Sequence, residues 1–225
     1  MSSRRPRPPF RVRDAGHRDR EAFMSLIRHA DPDHPSPFHS ARLMLGLAPE
    51  PPLSHNLNLC LIAEDQRGKP VAALLAGPPD WLVEHPGLRG SPLTLALVHR
   101  VTMIQGVAVD AKYRGRGIGK ALIRRAERRY REAGWGLSML IHGPSLEPFY
   151  QRLGYDSHPG LLMNLPRPNP LIGQDFLNML TALKPLASEV RLAEVPFAPC
   201  PVISGVLPGA RVPDHAWFDG AALCY

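Results

Sequence analysis

Apolar and polar positions alternate with two different periods along this chain, and each change of period marks an element. Phe10-Arg-Val-Arg13 alternates as a short strand does. Within residues 19–29, Phe23, Met24, Leu26 and Ile27 recur at roughly helical spacing. A loop rich in proline and histidine follows, then a short helix over residues 40–47. Residues 58–64 and 70–76 are apolar β-type runs. The turn-forming sequence Asp65-Gln-Arg-Gly68 between them predicts a hairpin.

Residues 77–92 are a connection rich in proline and glycine, and residues 93–109 read as one long β segment. The clearest helix comes next. Ile118, Ala121, Leu122, Ala126, Tyr130 and Ala133 fall on one face, arginines occupy the others, and Gly134 supplies the stop. Residues 135–142 form a further strand, and a short helix runs to Leu153 and closes at Gly154. Residues 155–165 read as another strand and 171–186 as a helix. The stretch to Tyr225 is irregular, as strands or an arm. No internal repeat is visible.

Composition narrows the class more than the pattern. The 225 residues are 44% hydrophobic and 21% charged, as in an ordinary soluble domain, and the 26 prolines cluster where the periodicity is lost. A net charge of +7 favours anionic partners or is simply a basic surface. Cys60, Cys200 and Cys224 lack metal spacing and imply no disulfide framework; Cys60 sits in an apolar run and reads as core. Arg4 and Arg5 are followed by no apolar segment, and no run approaches the ~20 residues of a membrane span. A cytoplasmic location without membrane contact is the expectation. Residues 1–9 read as a disordered basic tail.

The candidate chemistry lies in Val107-Ala-Val-Asp-Ala-Lys-Tyr-Arg-Gly-Arg-Gly-Ile-Gly-Lys120, a strand, a basic glycine-rich turn and a helix start. Backbone N–H groups converging at a helix N-terminus make a seat for phosphate. A Walker A loop would need glycine at Arg114 and a hydroxyl at Ala121, so that spacing fails. Gly115, Gly117 and Gly119 run G-x-G-x-G, which is not the dinucleotide fingerprint either.

What fits is R-x-x-G-x-G at Arg114, Gly117 and Gly119, preceded by Val107-Ala-Val109 and followed by Phe149-Tyr-Gln-Arg-Leu-Gly-Tyr155. This combination resembles the GNAT superfamily, the acetyltransferases related to general-control histone acetyltransferases. The strong match spans about residues 101–156. The resemblance implies an α/β (α+β) fold, with a mixed, mostly antiparallel sheet splayed at its middle strands and flanked by helices. It also implies a GNAT domain over residues 10–165, and a C-terminal extension over 166–225 packing on that domain or on a partner subunit.

It further implies acetyl-CoA as cosubstrate, with no metal. Val107, Ala108 and Val109 would meet the pantetheine arm and the acetyl carbonyl through their backbone. The cradle for the pyrophosphate would be Arg114, Gly115, Arg116, Gly117, Ile118, Gly119 and Lys120. Lys112, Arg116, Lys120 and Arg124 either add attraction for phosphates or form a solvated basic face.

Tyr150 matches the family tyrosine near the CoA sulfur, and a phenol can protonate a departing thiolate. The usual base is absent: the inward positions are Met103 and Gln105, neither of which takes a proton usefully. His99, Asp110 and His142 are the nearest titratable candidates, with His142 the best placed and a structural histidine the alternative. In the loop after the first helix, Asp31, Asp33 and His34 would line the acceptor pocket or be solvated. Their spacing is wrong for a metal.

The function so implied is N-acetylation of a small-molecule amine by direct attack on the thioester. The alternatives are a protein or aminoacyl-tRNA amine, and an acyl-CoA-binding module without catalysis. No RNA motif and no basic patch interleaved with aromatics is visible, so nucleic acid is not expected as a partner. A homodimer contact through the C-terminal residues stays open.

Overall fold

The computed structural model describes residues 10–31, 38–168 and 171–225. The expected basic tail, Asp33 and His34 lie outside them. In chain order the elements begin with β1 (Phe10–Asp14), α1 (Arg20–Ile27), α2 (His39–Met44), β2 (Leu59–Asp65) and β3 (Pro70–Gly77). Then come α3 (Asp80–Glu84), α4 (Pro92–Val98), β4 (Val101–Val109), α5 (Ile118–Glu132), β5 (Leu137–His142) and α6 (Glu147–Gln151). The rest is β6 (Asp156–His158), β7 (Gly160–Met163), β8 (Ile172–Asp175), β9 (Leu180–Pro185), β10 (Arg191–Ala193) and β11 (Val202–Ser204), then β12 (Trp217–Phe218) and β13 (Leu223–Cys224). This is the mixed α/β class, with largely antiparallel strands and flanking helices. Two compact units divide it, Met1–Ala76 with Ile104–Arg128, and Gly77–Met103 with Arg129–Tyr225.

In the first unit β1, β2, β3 and the end of β4 follow one another in the sheet, with β1–β2 and β2–β3 antiparallel. Both faces of β2 and β3 are buried, which explains their unbroken apolar runs. Alternate residues Cys60, Ile62, Ala73 and Leu75 pack in one core with Phe23, Met24 and Ile27 of α1 and Ala41 of α2. Burial pushes the Cys60 thiol up to about 12, so it stays protonated and inert. Arg13 ties β1 down: it hydrogen-bonds both oxygens of Asp19 and reaches Glu64 on β2.

Residues 93–109 are not one strand, because α4 occupies Pro92–Val98 before β4 starts. Ser91 caps that helix, its Oγ accepting from Leu93 N at 3.2 Å, and Pro92 stands in the first turn. From β4 the sheet continues as β5, β9 and β6. The start of β4 runs parallel to β5, and that ladder covers only Val101–Met103 against Leu137–Met139.

Residues 171–186 are not a helix either: they form β8 and β9. β9 is antiparallel to β5 on one side and to β6 on the other. β9, which lies beyond residue 165, is thus internal to the sheet. A second sheet, ordered β10-β11-β7-β8, takes up the excursion between β6 and β9 and part of the C-terminal chain.

Candidate active site

The first unit carries the glycine-rich turn. Asp110 N donates to Val71 O at 2.9 Å, which fixes the end of β4 against β3. Asp110 Oδ1 accepts from Lys112 N, capping a 3-10 turn over Ala111–Tyr113. The Tyr113 hydroxyl donates to Asp65 Oδ2 at 2.9 Å and so tethers the turn to the β2–β3 hairpin. That bond is the main reason the Tyr113 phenol is held above its ordinary range. Arg114 Nε folds back onto Val109 O at 3.1 Å, so this arginine braces the turn from within.

Gly115 and Gly117 have φ of +75° and +77°, the left-handed region where a Cβ is unfavourable. Nothing lies within 4 Å of where their Cβ atoms would be, so conformation alone demands glycine there. Gly119 takes no such φ and sits inside the first turn of α5; its contribution is a bare Cα. The early helical bond Ala121 N to Gly117 O leaves the amides before Ala121 without intrahelical acceptors. Those N–H groups and the partial positive charge of a fifteen-residue helix face the turn. Lys112, Arg114, Arg116 and Lys120 are all exposed around it. The turn gathers backbone donors at a helix N-terminus, an arrangement that suits an anion.

On β4, Ala108 is buried while Val107 and Val109 are half-buried. The sequence reading passed over Gly106. A Cβ there would stand 2.7 Å from the Phe38 ring and 3.2 Å from Ala30 Cβ. Phe38 and Ala30 flank the loop of Asp31, Asp33 and His34 on its two sides, so both ends of that loop pack on β4 at Gly106. Asp31 itself is half-buried. A lone glycine inside an apolar β run was the available signal.

The second unit carries Tyr150 and His142 together. Tyr150, on α6, is 7% exposed, and burial pushes its phenol up to about 12. Three rings fix it: His142 at 4.9 Å, Phe149 at 5.1 Å and Tyr155 at 6.1 Å between centroids. Tyr155 is held in turn by Ser138 on β5, with 2.9 Å between their oxygens. Gly154, at φ +85°, turns the chain from α6 into β6. Lys184 on β9 donates to Leu153 O at 2.6 Å.

Both ring nitrogens of the buried His142 are engaged. Nδ1 lies 2.8 Å from Gly143 O and Nε2 2.9 Å from Ser157 Oγ. A carbonyl only accepts, so Nδ1 carries a proton, while Nε2 is paired with the Ser157 hydroxyl. The ring is thus held at both nitrogens and packs, tilted by 37°, against Tyr150. The other two candidate bases have structural work as well. Asp110 caps its own turn, and the His99 ring lies 5.9 Å from that of Trp135.

Among the described residues no group of His, Cys, Asp and Glu side chains could hold a metal ion, and no helix is long and apolar enough to cross a membrane.

Comparison with known proteins follows the same lines. The chain is similar to an N-acetyltransferase (YhbS) from Escherichia coli solved in complex with CoA. Identity is 19% over 84% of this chain and 87% of that one, with a TM-score of 0.55. A phosphinothricin acetyltransferase from Sinorhizobium meliloti in complex with AcCoA is similar at 16% identity, covering 80% and 89% of the two chains, with a TM-score of 0.52. The ribosomal-protein-S18-alanine N-acetyltransferase from Escherichia coli is similar at 15% identity, covering 79% and 94%, with a TM-score of 0.50. No curated protein matches by sequence. The sequence profile of the Acetyltransferase (GNAT) family matches residues 23–155, more than half of the chain, and the protein belongs to that family.

Proposed function

We propose that this GNAT acetyltransferase moves the acetyl group of acetyl-CoA directly onto the amine of a small molecule. One observation carries the donor side: two left-handed glycines lead into α5 and leave its first amides without helical acceptors. Such a seat suits the CoA pyrophosphate, since fixed backbone dipoles stabilise charge with little reorganisation. By their match to the family, the backbone of Val107, Ala108 and Val109 serves the pantetheine arm and the acetyl carbonyl. The seat itself is Arg114, Gly115, Arg116, Gly117, Ile118, Gly119 and Lys120.

The amine lone pair attacks the thioester carbonyl carbon, and the tetrahedral oxyanion collapses with cleavage of the C–S bond. Tyr150, protonated at every physiological pH because burial raises it, is the acid for the departing thiolate. His142 is a positioning residue in this reading, because both its nitrogens are committed and its ring supports Tyr150. The proton lost by the attacking amine passes to water, so the acceptor reacts as its free base. Asp31, Asp33 and His34 form the acceptor wall. What supports this is the packing of Ala30 and Phe38 on Gly106 of β4.

Related acetyltransferases differ in the acceptors their names give, phosphinothricin in one and a ribosomal-protein alanine in another. The test is release of CoA thiol from acetyl-CoA across a panel of small amines, N-terminal peptides and lysine peptides. Turnover with small amines, abolished in Tyr150→Phe, supports the proposal. Turnover with peptides alone overturns the small-molecule part. Acetyl-CoA binding without turnover on any acceptor overturns the enzymatic part.

A further inference from the structure

A second basic feature lies in the first unit, apart from the glycine turn. β1 and the middle of α5 enclose a cleft of about 640 Å³. Arg11 on β1 and Arg124, Arg125 and Arg128 on α5 line it, with Phe10 and Val12 as its apolar part. Four guanidinium groups in one cleft repel one another, and nearby acids do not offset all of them. Among the described residues Arg11, Arg124 and Arg125 form no ion pair. Arg125 Nε is moreover shielded from water and has no acceptor, an orphan donor in the cleft wall. Of the acids near β1, Asp19 and Glu64 both engage Arg13, and Asp65 takes the Tyr113 hydroxyl.

Sequence reading found no aromatic among the basic residues. The fold supplies one, because β1 brings Phe10 beside arginines more than a hundred positions away. Arginines one helical turn apart, such as Arg124 and Arg128, lie on one face and can grip successive anionic groups. Guanidinium forks pair bidentately with phosphate, and an aromatic face accepts a base whatever its identity. A single small anion needs one fork, whereas four with an aromatic suit a repeating polyanion with flat rings. The chain just before Phe10 adds Arg4, Arg5 and Arg7 in sequence.

We propose that this cleft binds single-stranded RNA, its phosphates on Arg11, Arg124, Arg125 and Arg128 and a base on Phe10. The proposal is independent of the acetyl-transfer reading and uses none of the residues of the proposed donor seat. The test is fluorescence anisotropy of the full chain with a labelled mixed-sequence RNA of about 12 nucleotides, at about 50 and about 200 mM salt. Three neutralised phosphates give affinity about 20-fold weaker at the higher salt. Arg11→Gln with Arg124→Gln, both exposed and therefore tolerated by the fold, weakens binding at least about 10-fold.

The charge-matched control Arg89→Gln with Arg152→Gln, also exposed, leaves affinity within about 2-fold. Phe10→Ala lowers it about 10-fold by removing the stack. No binding at the lower salt overturns the proposal, as does an equal loss in the control, which means net charge alone is at work. Competition by polyglutamate as effective as by unlabelled RNA, with Phe10→Ala silent, also overturns it and assigns the cleft to an acidic protein segment.

Discussion

The glycine turn and the Tyr150 cluster are both small functional constellations, yet they are built by opposite means. The turn is local. Asp110 caps it, Arg114 braces it on Val109, and two glycines supply conformations that other residues resist, all within eight positions. The Tyr150 cluster is tertiary. His142 comes from β5, Ser157 from β6, and Tyr155 is anchored by Ser138 on β5. In the proposed reaction backbone dipoles are the working groups of the first, and a side-chain proton that of the second. On that proposal binding rests on conformation, and chemistry on packing.

The sharpest separation comes from Tyr150→Phe. It deletes only the hydroxyl and keeps the ring among His142, Phe149 and Tyr155. We expect kcat to fall about 1000-fold with KM for acetyl-CoA nearly unchanged, measured by thiol release under saturating donor. A change of KM instead of kcat would merge the two regions into one binding surface.

Next in size is Gly117→Val. The space around Gly117 is open, so the penalty comes from φ alone, about 1–2 kcal/mol for a left-handed residue with a Cβ. CoA affinity by titration calorimetry should drop about 5- to 30-fold. A variant of Gly119, which has no positive φ, should escape that conformational penalty.

Ser157→Ala probes the cluster at a distance. It leaves Nε2 of the buried His142 without its partner and loosens the ring packed against Tyr150. We expect kcat to fall about 5- to 10-fold at constant KM. The logarithm of kcat/KM should keep rising with pH up to the pKa of the acceptor amine. A profile that levels off earlier, in a way that His142→Gln removes, would restore His142 as the base.

The smallest effect concerns the frame under the turn. Arg13→Met removes charged hydrogen bonds to Asp19 and Glu64 and should cost about 2 kcal/mol at neutral pH by denaturant unfolding. Asp19 is held below its ordinary value, first by Arg13. Its stabilisation is therefore complete above the ordinary carboxylate range and is lost as pH falls through its lowered value. The gap between wild type and Arg13→Met should narrow in acid.

Much of the donor turn was legible because its causes are consecutive in the chain. The helix face from Ile118 to Tyr130 and the Gly154 stop were readable for the same reason. Residues 92–98 misled, because Leu93, Leu95 and Leu97 alternate with the period of a strand although the segment is a helix. The overlooked signals were Ser91 and Pro92, a cap and a first-turn proline. Residues 171–186 misled for a different reason. Leu180–Pro185 is a strand only because β5 and β6 both pair with it, and no local pattern announces two distant partners. The role of His142 was open in the sequence because it depends on Ser157, fifteen residues away. The juxtaposition of Phe10 with the α5 arginines was invisible for the same reason.

The most direct measurement pairs acetyl-CoA titration with thiol release on three proteins: wild type, Gly117→Val and Tyr150→Phe. If the turn binds and Tyr150 reacts, Gly117→Val loses affinity while Tyr150→Phe keeps wild-type affinity and loses turnover. Full affinity in Gly117→Val, or full turnover in Tyr150→Phe, contradicts that division of labour.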